Sequence, residues 1–160
     1  METRKQPVQL IVFTLGDEYY GIRIEQIKEV TFTPPLSRMP KTPLYLKGIA
    51  NIRGEIVAVI DLEERLGIKK QNPAPHESPS TGYTMVIDKE EDYTIGFIVQ
   101  EIPHNLKIPF IDMDDTAFSE FASKFNKEFL EGIAKHNDQV IIVLNINKIL
   151  SDEEAKQLFV

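Results

Sequence analysis

Apolar residues along this chain fall in short runs, none longer than a strand, separated by glycine, proline, asparagine and aspartate. Val8 to Leu15 is rich in β-branched and large apolar side chains and is followed by the turn residues Gly16-Asp17-Glu18. A return strand is expected over Tyr19 to Arg23. Ile24, Ile27 and Lys28 have the spacing of one short helical turn. Thr33 to Pro43 carries four prolines and is expected as loop or edge, because proline has no N–H to give to a ladder. Leu44 to Ile52 and Glu55 to Ile60 flank Arg53-Gly54, which predicts a tight hairpin. Asp61-Leu62-Glu63-Glu64 has the form of a capping box, with Asp61 as N-cap and Glu64 reaching back, and Gly67 ends that short helix.

The same order of elements returns later. Tyr45-Leu46-Lys47-Gly48-Ile49-Ala50 matches Phe129-Leu130-Glu131-Gly132-Ile133-Ala134 at an offset of 84 positions. That offset continues through Ile56 to Leu62 against Val140 to Ile146, and on to Leu66 against Leu150. Upstream, Gly21-Ile22 matches Gly96-Phe97, Ile24 matches Val99 and Ile27 matches Ile102 at an offset of 75, which also aligns Leu10-Ile11-Val12 with Met85-Val86-Ile87. The nine extra residues are an insertion in the second copy between Ile102 and Phe129. Strands of the second copy are expected at Tyr83 to Asp88, Tyr93 to Val99, Lys107 to Ile111, Phe129 to His136 and Gln139 to Asn145, with Asn137-Asp138 as its hairpin turn. Lys69 to Gly82 holds three prolines, two serines and a threonine and reads as an exposed connector. One lobe is thus expected over about 8–68 and the other over about 83–150. Ser151 to Phe159, with Ser151 and Glu154 as a capping box, predicts a C-terminal helix within 151–160. Many short strands with frequent turns predict small barrels rather than a parallel sheet. Each would be marginal alone, so the two should pack face to face around a shared apolar core.

Composition narrows the chemistry. The 160 residues suffice for one domain or two small lobes, and 42% are hydrophobic. There is no cysteine, which excludes a disulfide framework and a thiolate metal site. No apolar run approaches the ~20 residues that span a bilayer, and the polar start Met-Glu-Thr-Arg-Lys-Gln-Pro lacks the apolar core of a signal peptide. A net charge of −7 argues against a broad nucleic-acid face. The expectation is a soluble cytoplasmic protein with no nucleic-acid partner and no direct membrane insertion. His76, His104 and His136 lack the spacing of a zinc-binding helix and are read as exposed or half-exposed. Asp112, Asp114 and Asp115 lack the glycine and distal glutamate of a calcium loop, and are read as a solvated acidic loop before a helix at Thr116. Phe118, Phe121, Phe125 and Phe129 form one helical face, suited to core packing or to a partner groove. No glycine-rich phosphate loop, nucleophile elbow or kinase signature occurs. No catalytic, cofactor-binding or metal-binding residue is therefore expected. A binding module is preferred to the rival class, an enzyme using Asp61, Asp114 or Asp115.

Tyr45-Leu46-Lys47-Gly48-Ile49-Ala50-Asn51-Ile52-Arg53-Gly54-Glu55-Ile56-Val57-Ala58-Val59-Ile60-Asp61-Leu62 resembles the CheW family: a strand, an Asn-x-Arg-Gly turn, an apolar strand, then Asp-Leu opening a short helix. Tyr20-Gly21-Ile22 through Glu25 to Val30 resembles its companion segment, and Gly96 to Ile102 the second-lobe counterpart. The resemblance runs from roughly Val8 to Leu150. It implies a mainly β fold of two pseudo-repeated SH3-like five-stranded β-barrels around a common core, with short helices. It implies a non-catalytic adaptor without cofactor, binding the regulatory domain of the histidine kinase CheA and the cytoplasmic tip of methyl-accepting chemoreceptors, and recruited to membrane receptor arrays. Family members pair a glutamate with the turn arginine on the surface; the matching positions are Glu29 and Arg53. Asn51, Gly54 and Gly48 join them as an expected partner surface. For Gly48 two readings stand, close approach of a partner or strand and simple internal crowding. The resemblance further implies a groove receiving the receptor tip at Ile27, Val30, Val99 and Ile102, for which core burial is the competing reading. The chain departs from the family pattern in its long connector and in Asn145-Ile146-Asn147, where aspartate is frequent at the first position. A CheW-like scaffold for a different chemosensory kinase, in motility or second-messenger control, would share the module.

Overall fold

The expected turns close hairpins. Strand β1 (Pro7–Leu15) returns through Gly16, at φ 60°, into β2 (Glu18–Arg23). A single 3-10 turn at Ile24–Gln26 leads into β3 (Ile27–Phe32), so the expected helical turn is shorter and Ile27 and Lys28 are already strand. Beyond the proline-rich loop come β4 (Leu46–Ile52), β5 (Glu55–Asp61) and the short helix α1 (Leu62–Leu66). Asp61 caps α1 by accepting the Glu64 N–H, and Gly67 ends it in the left-handed region at φ 72°. The second copy supplies β6 (Tyr83–Ile87), β7 (Thr94–Val99), β8 (His104–Asp112), β9 (Leu130–His136) and β10 (Gln139–Leu144). A helical turn, α2 (Ile146–Ile149), follows β10 where α1 follows β5. At the repeat position of Asp61, where the expected strand ends, stands Asn145. That residue does the work of Asp61, accepting the Asn147 N–H on its side chain at 3.2 Å and the Lys148 N–H on its carbonyl at 3.0 Å.

This computed structural model describes residues 7–68, 82–87, 94–112 and 129–149, with the side chains of 109–112 excepted. The connector over 69–81, the C-terminal helix over 151–160, the face of Phe118, Phe121 and Phe125, and His76, Asp114 and Asp115 lie outside the described residues.

Two five-stranded sheets result. One is a closed barrel in the order β1-β2-β10-β9-β8, with β8 pairing back onto β1; the other runs β3-β6-β7-β5-β4. Each draws strands from both copies, so the lobes expected over 8–68 and 83–150 are not the barrels. The exchange has a physical cause. The second strand of each copy pairs in parallel with the fifth strand of the other: Tyr20 lies opposite Ile142, and Phe97 opposite Ile60. A hairpin edge left exposed would be a site of aggregation, and the other copy covers it.

The exchange also explains why the strands read as continuous apolar runs. One face of each central strand enters a cluster confined to its own barrel: Val57 and Val59 with Ile52, Val86 and Ile98 in one, Ile141 and Val143 with Leu10 and Val12 in the other. The opposite face enters a cluster common to both barrels, built on Phe13, Ile22, Ile60, Leu62, Phe97, Ile142 and Leu144. Both faces are covered, so alternation disappears. Each such side chain contributes about 1.5–3 kcal/mol by leaving water.

Arg65 sits where the two copies meet. Its Nε donates to the carbonyl of Ile149 at 2.6 Å, and its guanidinium lies 5.1 Å from the Tyr45 ring centre and 5.3 Å from that of Phe129. Tyr45 and Phe129 are repeat equivalents, as are Arg65 and Ile149. The Asp61 N–H bonds the Tyr45 carbonyl at 2.7 Å, and the Asn145 N–H bonds the Phe129 carbonyl at 2.8 Å. One cation thus lies against both members of an aromatic pair, where equivalent residues of the two copies meet.

The sheets differ in how they close. In the first, β8 runs on through Phe110, Ile111 and Asp112 and pairs with β9 at Ala134, Ile133 and Gly132. In the second, β3 ends at Phe32, and Pro34-Pro35 cannot donate to a ladder. Ser37 alone reaches β4, exchanging two hydrogen bonds of 2.8 Å with Ile49. Gly48 makes this approach possible: a Cβ there would lie 2.8 Å from the Ser37 carbonyl oxygen and 3.0 Å from Leu36 Cβ. Gly48 is buried at this contact, which favours the reading of internal crowding.

Two outcomes follow for urea denaturation. Gly48→Ala should cost about 1–3 kcal/mol through displacement of the 33–43 loop, and an unchanged midpoint would contradict the close approach. Arg65→Leu should cost about 1–3 kcal/mol for the lost carbonyl bond and ring contacts; a more stable variant would show that Arg65 clamps nothing.

Candidate functional site

Where the backbone leaves the second sheet open between β3 and β4, side chains cross the gap. Arg53 Nε donates to Glu29 Oε2 at 2.7 Å, and Lys28 Nζ to Glu55 Oε1 at 2.7 Å. Lys28 and Glu29 belong to β3, Arg53 to the turn of the β4–β5 hairpin and Glu55 to the start of β5. Thr94 Oγ1, on β7, donates to the other Glu55 oxygen at 3.0 Å. The structure therefore brings Glu29 and Arg53 together as expected, and adds Lys28, Glu55 and Thr94, which the sequence reading did not single out. For Lys28 and Glu55 the only sequence signal is opposite charge at distant positions, which has no meaning until β3 and the hairpin are known to be neighbours, and Thr94 carries no signal at all.

The turn is built tightly. Arg53 at φ 51° and Gly54 at φ 82° are the positive-φ pair that a two-residue hairpin needs. Asn51 Oδ1 accepts the Gly54 N–H at 3.0 Å, which fixes the loop. No atom lies within 4 Å of where a Gly54 Cβ would stand, so another backbone has room to approach. Arg53 is a poor choice for the backbone alone, since a side chain in the left-handed region costs about 1 kcal/mol. The second copy places Asn137 at φ 48° and Asp138 at φ 64° in the equivalent turn, and asparagine tolerates that region. The Arg53 side chain is 80% exposed against 20% for Glu29, so the strain is not recovered by burial. Residues held this way cluster at active sites, ligand clamps and switch regions.

Exposed apolar residues flank the ion pairs: Val30 and Phe32 on β3, and Ile56 beside Glu55. Phe32 leans on Tyr83 with ring centres 5.3 Å apart. Of the four expected groove residues, two share this character and two do not. Val99 is buried in the common core, because β7 lies between β6 and β5 with both faces covered. Ile27 is half-buried against the same core. Val30 and Ile102 are exposed, the first on β3 and the second in the β7–β8 connection.

Hydrogen bonds from Lys28 and then Thr94 hold the Glu55 carboxyl below its ordinary value of 4.5. A carboxylate depressed in the folded state adds to stability above its unfolded pKa and loses that contribution as pH falls through the folded value. The Lys28–Glu55 pair should thus persist at pH 4.5 and break only below it. In a carbon-detected NMR titration, Lys28→Ala should raise the Glu55 midpoint towards 4.5; an unmoved midpoint would assign the depression to Thr94 alone.

Comparison with known proteins agrees with this geometry. The model of the CheW-like domain matches residues 9–154. A chemotaxis protein CheW of Treponema pallidum is 28% identical over 158 residues, covering 99% of this chain and 91% of that protein. One of Helicobacter pylori is 30% identical over 152 residues, covering 95% and 87%. The crystal structure of the scaffolding protein TtCheW from Thermoanaerobacter tengcongensis superposes with a TM-score of 0.71 at 27% identity, over 93% of this chain and 91% of that one. With a family match spanning nearly every described element, this chain belongs to the CheW-like domain family.

Proposed function

We propose that this protein is a non-catalytic adaptor that couples chemoreceptors to the histidine kinase CheA in chemotaxis. Relatives named as chemotaxis and scaffolding proteins support the reading. In this reading the adaptor acts in the cytoplasm, beneath membrane-bound receptor arrays. The observation that carries the proposal is the exposed arginine on a strained turn, held by Glu29 across an open seam.

An exposed ion pair contributes only about 0–1 kcal/mol to stability. Its use is to hold a planar, five-donor fork in a fixed orientation, with Gly54 beside it leaving room for a partner backbone. In this reading the CheA regulatory domain docks on the seam, around Glu29, Asn51, Arg53 and Gly54. Val30 and Ile102 remain as contacts for the receptor tip, which would enter as a helix in a groove. The shared core and the Arg65 clamp make the adaptor stiff. A shift of the receptor is then passed to the kinase through contacts whose energy differs between its states.

The test is calorimetric titration with the regulatory domain of the CheA encoded in the same genome. Arg53→Glu should weaken binding about tenfold or more, equal to ~1.4 kcal/mol, while the fold remains cooperative and loses no more than about 1 kcal/mol of stability with the ion pair. Arg53→Asn should match or exceed the wild type in stability by up to about 1 kcal/mol, since asparagine suits the turn, and should still lose binding. Binding by Arg53→Asn equal to wild type would remove Arg53 from the site. A folded kinase domain that does not bind would transfer the scaffold role to another pathway.

A further inference from the structure

The loop between β3 and β4 is a second surface with features that neither the seam nor the core requires. It frames a depression of about 310 Å³ lined by Arg38, Met39, Thr42, Pro43, Leu44 and Lys47. That volume is at the low end of small-ligand sites, roughly 300–1,000 Å³. The walls are rigid. Four prolines fall between Thr33 and Pro43, Thr42 Oγ1 donates to the Met39 carbonyl at 2.9 Å, and the Leu46 N–H donates to the Pro43 carbonyl at 3.1 Å. Ser37 anchors the loop to β4. Lys41 is held at φ 61°, a conformation that a lysine adopts only when its surroundings impose it.

This rigid loop keeps apolar side chains in water. Leu44 is 85% exposed and Met39 44%, one on each side of the pair Thr42-Pro43. A single exposed leucine needs no explanation; two apolar side chains lining one depression on a pre-organised loop form a docking surface, because little order remains to be lost on binding.

Charge identifies the occupant. The chain carries −7 overall, yet residues 30–54 contain Arg38, Lys41, Lys47 and Arg53 and no aspartate or glutamate. Lys47 and Arg53 are matched from elsewhere, by Asp61 at 3.4 Å and Glu29 at 2.7 Å. Arg38 and Lys41 pair with no described carboxylate. We propose that the β3–β4 loop docks an acidic peptide segment of a protein partner, with an apolar side chain of that segment entering the depression between Met39 and Leu44 and its carboxylates reaching Arg38 and Lys41. An anionic membrane fits less well: lipid-directed basic clusters carry about four to eight cations, and this loop leaves two unmatched. The surface is separate from the Arg53 seam and does not depend on which kinase is bound there.

The experiment is an NMR shift titration of the full chain. One probe is a short synthetic peptide of glutamate and aspartate flanking a single leucine; its controls are the same peptide with lysine at each acidic position, and vesicles of phosphatidylserine and phosphatidylcholine. Saturable shifts should centre on residues 36–47, weaken with added salt and be absent with the basic peptide. Arg38→Glu with Lys41→Glu should reduce affinity about tenfold or more. Leu44→Ser should also reduce it at unchanged Tm, because an exposed leucine carries little of the fold. Shifts centred elsewhere, or equal binding of the basic peptide, would overturn the proposal. So would vesicle binding that the double variant abolishes while the acidic peptide leaves the loop unshifted; that result would make the surface a lipid contact.

Discussion

Everything in this molecule depends on two short parallel pairings, β2 with β10 and β7 with β5. They join strands that lie far apart in the chain, so neither repeat can complete a sheet from its own residues. Their consequence is that the hydrophobic core cannot be divided. Val57 to Ile60 lie with both faces covered because one face serves a barrel and the other the common cluster. Gly21 and Gly96 occupy equivalent places in these pairings, opposite Val143 and Val59. A Cβ on Gly96 would come within 2.6 Å of Thr84 Cγ2. Across the exchanged pairings themselves a Cβ on Gly96 would lie 3.2 Å from Val57 Cγ1 and one on Gly21 3.2 Å from Ile141 Cγ2, so the close approach is supported by residues that have no side chain to lose.

Against this symmetry, the difference between the two seams gains meaning. Equivalent strands are joined by three backbone-paired positions in the first barrel and, in the second, by one serine and two ion pairs. Backbone ladders are internal and carry no message. Side chains across an open seam are exposed and can differ between relatives without disturbing the fold. The prolines that prevent β3 from continuing therefore create both candidate surfaces: the charged seam at one end and the rigid basic loop at the other.

Much of this was legible in the chain. The hairpins, the Asp61 cap, the Gly67 stop and the repeat offsets came from residues whose local chemistry admits few alternatives. The pairing of Glu29 with Arg53 came from a family resemblance, and the geometry bears it out. Strand exchange was not legible, because an offset says which elements are equivalent and not which are neighbours. For the same reason Val99 looked like a groove residue: its apolar character is the same in a core strand as in a groove, and only the position of β7 between two strands decides. Gly48 carried the opposite ambiguity. A glycine in a strand marks a close approach, and nothing in the residue names what approaches; here it is Ser37 of the same chain.

The two hairpin turns show most directly how a duplicated fold separates stability from recognition. Both need positive φ at two positions. The second copy meets that need with Asn137 and Asp138, residues that suit the backbone. The first meets it with Arg53 and Gly54, accepting about 1 kcal/mol of strain at the arginine. Glycine beside it relieves the second position and leaves the space above the turn open. Had the fold alone shaped both turns, the two would have kept the same kind of residue. The copy that departs from the backbone optimum is the one whose seam is open, whose flanks carry exposed Val30, Phe32 and Ile56, and whose neighbouring segment holds Arg38 and Lys41, which pair with no described carboxylate. A strained arginine, exposed apolar side chains and two cations without a described carboxylate partner thus gather beside one open seam. The other, closed by its own backbone, is left to hold the shape.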